Sequence, residues 1–165
     1  MDRLRLTPKG QYFWPILLTV FLTDCATKAV AERSLSPAHV PHEVVGDVLR
    51  FTLAYNTGAA MSLSLGEHSR VLLVVVGTLA LAGLGMWYRR LHPEAVSTGM
   101  ALALIAAGAA GNLWDRLRTH RGVVDFIDVG LGEWRFYIFN VGDMAITIGA
   151  IWLAMELSRP DRHQV

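Results

Sequence analysis

The chain has 165 residues, of which 53% are hydrophobic and only 18% charged, and its mean hydropathy is +0.37. One domain of this length and composition cannot be disordered, collagen-like or a polar solenoid, and a bilayer would solvate its apolar excess better than a small soluble core could hide it. Fifteen Lys and Arg against fourteen Asp and Glu leave a net charge of +1, so no basic field recruits nucleic acid, and the single Cys25 can form neither an internal disulfide nor a thiolate cage.

In chain order, the first apolar run, 10–23, follows Arg3, Arg5 and Lys9 and continues into Asp24, Lys28 and an Ala-rich turn. It resembles a secretory signal but lacks a small-x-small cleavage site, so a retained transmembrane helix over about 12–29 is expected. A long loop, 30–70, contains the alternation Leu49, Phe51, Leu53, Tyr55 after a Gly46-Asp47 turn, which predicts a half-buried strand. Residues 71–88 carry no charge before Arg89 and Arg90, and residues 95–114 carry none before Asp115 and Arg116. At about 1.5 Å per residue each approaches or reaches the roughly 30 Å of a hydrocarbon core. Helices are therefore predicted over about 71–88 and 96–115.

The next loop, 116–136, reads VVDFIDV, a Gly-Leu-Gly turn and EWRFYIF, which predicts a β-hairpin. A fourth apolar stretch, 136–155, contains Asn140 and Asp143 and is expected to be helical over about 137–157. The predicted fold is an all-α membrane protein of four transmembrane helices with a small extracytoplasmic β-structured region, forming one domain over 1–165. Leaving out the long first loop, Arg3, Arg5, Lys9, Arg89, Arg90, Arg159 and Arg162 outnumber Arg116, Arg118, Arg121 and Arg135 on the far side, which predicts cytoplasmic termini.

Polar residues stand where lipid would disfavour them. Asp143 lies near the start of its helix, and a carboxylate there costs a few kcal/mol unless it meets a partner or water. Asn140, Asp143 and Thr147 share one predicted helix face. On the third helix Gly108, Asn112 and Arg116 recur every four residues beside Asp115, while Ala107 and Gly111 suit close helix contact. Asp24 and Lys28 are spaced for a salt bridge that closes the end of helix one. A hairpin turning near Leu131 would pair residue 125 with about 137 and bring Asp125 towards Asp143. Two carboxylates that close cannot both ionise, so one serves as acid and the other as base to a water. Asp128, three residues nearer the turn, competes for Asp125's role.

Plainer roles are open to each of these residues. Asn140 and Asp143 could be hydrogen-bonding glue between helices, and Arg116 could pair with Asp115 or a headgroup phosphate. A proton-coupled carrier using Asp24, Lys28 and Asp143 would need polar groups at several depths, whereas here they gather at one end. A Ser62 or Ser64 nucleophile with Lys28 as base is conceivable. The six His are scattered, and His42-Glu43-Val44-Val45-Gly46 has Gly where a zinc-protease motif needs its second His. No metal or other cofactor is expected.

Five ordered blocks, TDCATK at 23–28, AYNTGAAMS at 54–62, GNLWDR at 111–116, VVDF at 123–126 and FNVGD at 139–143, resemble the signature of the bacterial lipoprotein signal peptidases, or signal peptidase II. The resemblance implies a membrane-embedded aspartyl endopeptidase that removes the signal peptide of diacylglyceryl-modified prolipoproteins on the amino side of the lipidated cysteine. Asp125 and Asp143 match the family's catalytic pair. Asn56, Gly58, Ala59, Asn112, Arg116 and Asn140 match its substrate pocket, and Asp24 and Lys28 its first block; Gly108 and Asp115 are expected to support them. The implied partners are lipidated prolipoproteins, membrane lipid and globomycin-type inhibitors. The implied place is the bacterial inner (cytoplasmic) membrane, with the site towards the periplasmic or outer face. One departure is Gly142, where the family usually has Ala; the smaller residue is expected to loosen packing without removing chemistry.

Overall fold

The computed structural model describes residues 6–58 and 69–159. Among them the order is α1 Pro8–Ser34, β1 Pro41–Val45, β2 Leu49–Asn56, α2 Ser69–Arg90, α3 Val96–Arg118, β3 Val123–Leu131, β4 Trp134–Arg135 and α4 Val141–Leu157. The first three helices, of 27, 22 and 23 residues, are long and apolar enough to cross a membrane, while α4 has 17. The protein is thus mostly helical with a small antiparallel sheet. α1 begins where Pro8 needs no helical donor and the Thr7 hydroxyl accepts from Gly10 N at 3.3 Å.

The fourth helix starts later than the apolar run suggests. Residues 136–140, expected mostly within the helix, instead lie outside it, and Phe139 exchanges hydrogen bonds with Ile127 of β3 at 2.8 and 3.1 Å. Asn140 then caps α4: its side chain accepts from Asp143 N at 2.9 Å, and the Asp143 carboxylate accepts from Asn140 N at 3.2 Å. This reciprocal box satisfies orphan donors at the helix start, and it places Asn140 before the helix rather than on its face.

α3 is the central helix and packs on α1, α2 and α4. Small residues permit this: Ala101, Ala103, Ala107, Gly108 and Gly111 are buried, and a Cβ at Gly108 would overlap the Gly142 carbonyl of α4. Among the described residues none of α2 is buried, and Val71, Val75, Leu79 and Met86 turn their apolar side chains outward, as suits a helix solvated by lipid. At the other end of the bundle Lys9 closes α2 by donating to the Tyr88 and Leu91 carbonyls at 2.9 and 2.5 Å, and Phe13 stacks on Tyr88.

The sheet is antiparallel in the order β1-β2-β3-β4. It rests on the end of α1, where Val124, Phe126 and Leu53 pack against Ala31 and Leu35. The strand read over 49–55 is present, and the loop before it contributes β1, which has no buried residue by which alternation could reveal it. The hairpin turns at Gly132 and Glu133, later than expected, because Gly132 adopts φ +55° and Gly130 remains in the strand. A Cβ at Gly130 would lie 2.5 Å from the Trp134 carbonyl, so only Gly allows that pairing. The later turn shifts the register by about three residues and brings Asp125 level with Asn140 instead of 137.

Candidate active site

Asp143 occupies the third position of α4, at the positive end of the helix. Its Oδ1 accepts from Asn112 Nδ2 at 2.8 Å and its Oδ2 from Asn140 N at 3.2 Å. Asp125 lies on β3 opposite Ala54, and its Oδ1 accepts from Asn140 Nδ2 at 2.6 Å. Asn140, itself fully buried, therefore joins the two carboxylates through its cap and its amide. Asp125 is only 3% exposed, and burial, reinforced by the negative charge of Asp143, pushes its pKa up to about 7 against hydrogen bonds from Asn140 and Asn56 and the charge of Lys28. Asp125 therefore carries a proton for part of the time near neutral pH.

Both carboxylates line a cavity of about 760 Å³, together with Asn56, Asn112, Arg116 and the segment 136–139. Arg116 spans its rim, donating to the Gly58 carbonyl at 3.0 Å and the Asn112 carbonyl at 3.2 Å. Gly58 N in turn bonds Asn56 Oδ1 at 3.1 Å. Of the residues expected to hold substrate, Asn56, Asn112 and Arg116 face this space, Gly58 is tied to it through Arg116, and Asn140 sits behind the carboxylates. Ala59, Ser62 and Ser64 lie outside the described residues. The aromatic residues Phe136, Tyr137 and Phe139 of the segment between β4 and α4, read as part of the hairpin and the start of helix four, form a wall the sequence did not single out.

Beneath the carboxylates the Asp24–Lys28 pair is more than a clip at a helix end. Lys28 is 1% exposed and meets Asp24 at 2.7 Å, Asp115 at 3.0 Å and Asn112 Oδ1 at 2.9 Å. Asp24 also accepts from Gly142 N at 2.7 Å, and Asp115 from Val124 N at 3.2 Å and Arg118 at 3.0 Å. Helices α1, α3 and α4 and strand β3 thus meet on one ammonium group. Gly108 and Gly111 let the chains approach this closely, since a Cβ at Gly111 would overlap Asp24. Gly142 does not loosen the packing as expected: an added Cβ would lie 3.0 to 3.1 Å from Asn140 Oδ1, Asp24 Oδ1 and the Gly108 carbonyl, so glycine fills a tight junction.

Asp128 is held elsewhere. Three residues from Asp125 on a strand, it points to the opposite face, where Arg135 binds it at 2.7 Å and Thr52 at 2.9 Å. Arg135 is therefore a partner within the sheet, and Arg118 pairs with Asp115 and Glu32. Among the described residues no three His, Cys, Asp or Glu side chains converge as metal ligands would.

Apolar helices of membrane-crossing length, with a cavity at one end that holds two carboxylates among amides and aromatic rings, suit a membrane enzyme. The chain belongs to the signal peptidase II family, whose model, described as Signal peptidase (SPase) II, matches residues 16–159. The lipoprotein signal peptidase of Pseudomonas aeruginosa is 40% identical over 163 residues, covering 96% of this chain and 92% of the relative. That of Geobacter metallireducens is 32% identical over 160 residues, covering 96% and 98%. A solved structure of a bacterial membrane enzyme superposes with a TM-score of 0.81 at 28% identity, covering 93% of each chain.

Proposed function

We propose that the protein is an aspartic peptidase that removes signal peptides from lipoproteins in the bacterial inner membrane, with Asp125 and Asp143 as the reacting pair. The observation that carries this reading is the buried Asn140, whose backbone N–H donates to the Asp143 carboxylate and whose side-chain amide donates to Asp125, so that one residue holds both carboxylates at the cavity. Asp125 donates its proton to the scissile carbonyl oxygen while Asp143 takes a proton from a water whose oxygen bonds to the carbon. The resulting diol collapses: the C–N bond breaks as the nitrogen receives the proton from Asp143, and a diol hydroxyl returns a proton to Asp125. The pair ends with the single proton it began with.

A diacylglyceryl cysteine suits this placement, because the cavity wall continues from Phe139 down α4 through Ile146 and Thr147 into the apolar part of the helix. The lipid remains among helices while the peptide crosses above them, cut on the amino side of the cysteine. In this reading α4 is the fourth membrane crossing, its 17 residues spanning about 25 Å. The termini are cytoplasmic, the sheet and cavity face the periplasmic or outer side, and globomycin-type inhibitors occupy the same cavity.

The test is cleavage of lipidated and unlipidated prolipoprotein by the wild type and by Asp125→Asn and Asp143→Asn. Lipidated substrate alone should be cut, and both variants should be folded and inactive. Near-normal turnover by either variant would sink the pair, and loss in Ser62→Ala with activity in both Asp variants would install a serine nucleophile.

A further inference from the structure

We infer that Lys28 is a positioning residue for the reaction, setting the direction of the amide hydrogen bonds that end on Asp143 and Asp125. The inference rests on the reading of those two carboxylates as the reacting pair. Lys28 is not part of the cavity lining and is almost wholly enclosed, so it touches neither substrate nor water there. Its three ammonium protons have three acceptors: Asp24, Asp115 and the side-chain oxygen of Asn112.

The third acceptor matters for chemistry. An amide has a carbonyl end and an amino end, and only the carbonyl can face a cation at 2.9 Å. With its oxygen held by Lys28, Asn112 must present Nδ2 to Asp143 Oδ1, and it does so at 2.8 Å. The same oxygen lies 3.2 Å from Asn140 Nδ2, which orients that amide as a donor to Asp125 at 2.6 Å while its own oxygen receives Asp143 N at 2.9 Å. One buried cation thus makes both Asn side chains donors towards carboxylates. Donors of that kind favour the charged form, and the bond from Asn140 opposes the rise that burial imposes on Asp125.

The groups facing the pair are Lys28 and Asp24 from α1, Asn112, Asp115 and Arg116 from α3, Asn56 and Tyr55 from β2, His39 from the segment before the sheet and Tyr137 from the segment before α4. Arg116 gives two of its five donors to the Gly58 and Asn112 carbonyls and none to either carboxylate, and Asp24 and Asp115 are themselves bound to Lys28. Lys28 is therefore the cation whose hydrogen bonds reach Asp143 through a single intervening side chain.

Lys28→Met alone would strand Asp24 as an unpaired buried carboxylate, leave Asp115 with Arg118 as its one cation, and threaten folding. The charge-balanced variant Lys28→Met with Asp24→Asn removes one charge of each sign, leaves Asp115 with Arg118, and keeps an oxygen at position 24 for Gly142 N. With lipidated prolipoprotein over a range of pH, this variant should retain KM within about twofold, lose about tenfold in kcat at neutral pH, and shift its bell-shaped profile upward by about one pH unit. Asp24→Asn alone removes an anion and leaves the ammonium in place, so any shift it causes should run to lower pH. A profile that stays in place in the double variant would overturn the inference whatever happens to kcat, because a merely structural Lys28 changes the amount of active enzyme without moving its titration. Failure to recover the double variant folded would overturn it as well, making Lys28 a folding element first. Activity in Asp125→Asn or Asp143→Asn would instead remove the reading beneath it.

Discussion

Replacing Asp125 by Asn should abolish cleavage and yet stabilise the folded protein above neutral pH. The carboxyl is 3% exposed, and its pKa rises from the ordinary 3.8 to about 7, so the folded chain binds a proton between those limits that the unfolded chain releases. Stability from this group is fully present below the unfolded value, declines as pH rises through the window, and reaches its full deficit above about 7. Roughly three pKa units at 1.36 kcal/mol each put that deficit at up to about 4 kcal/mol. An Asn at 125 is nearly isosteric and does not titrate. Its oxygen can still accept from Asn140. The variant should therefore match the wild type in unfolding free energy near pH 4 and exceed it at pH 8 by as much as that deficit. Unfolding in detergent micelles at both pH values measures the difference. An equal offset at the two pH values, or a variant less stable at pH 8, would refute the raised pKa of Asp125.

Three further outcomes are expected. Arg116→Lys should lower cleavage and weaken globomycin binding with membrane insertion and thermal stability nearly unchanged, since a Lys cannot bridge the Gly58 and Asn112 carbonyls as the planar fork does; undiminished activity and binding would make Arg116 an anchor. Gly108→Ala should cost about 1–3 kcal/mol of unfolding free energy, because its Cβ would overlap the Gly142 carbonyl and approach Ile146 within 2.9 Å, whereas Gly83→Ala, with nothing within 4 Å, should be neutral or slightly stabilising. A cysteine introduced at position 92 in a Cys25→Ser background should escape an impermeant thiol reagent added outside intact cells, and labelling there would reverse the orientation drawn from the loop charges.

Where the helices lie was legible because the cause is local. Uncharged runs such as 71–88 and 95–114 must satisfy their backbone groups internally once they enter lipid, and Arg89 or Asp115 ends the apolar stretch wherever the chain continues. The strand alternation of 49–55 and the hairpin composition of 123–139 are similarly short-range, and helical spacing alone puts Asn112 and Arg116 on one face of helix three and Asp143 and Thr147 on one face of helix four. The tertiary structure decided what those residues meet. The start of α4 depends on the cap formed by Asn140 and on Phe139 pairing with Ile127, neither visible in hydropathy. The hairpin register depends on which glycine takes the positive φ, and that choice moved Asp125 by about three residues to the side of Asn140. The separation of Asp125 from Asp128 required the opposite strand face to supply Arg135 and Thr52. Lys28 reads in sequence as one half of a helical ion pair, yet its other partners come from α3, 84 residues away in the case of Asn112. Sequence determines which groups are costly to leave alone in a membrane; which distant groups relieve that cost depends on helices close enough to share a single ammonium, and glycines at 108, 111 and 142 permit that approach only once the chain has folded.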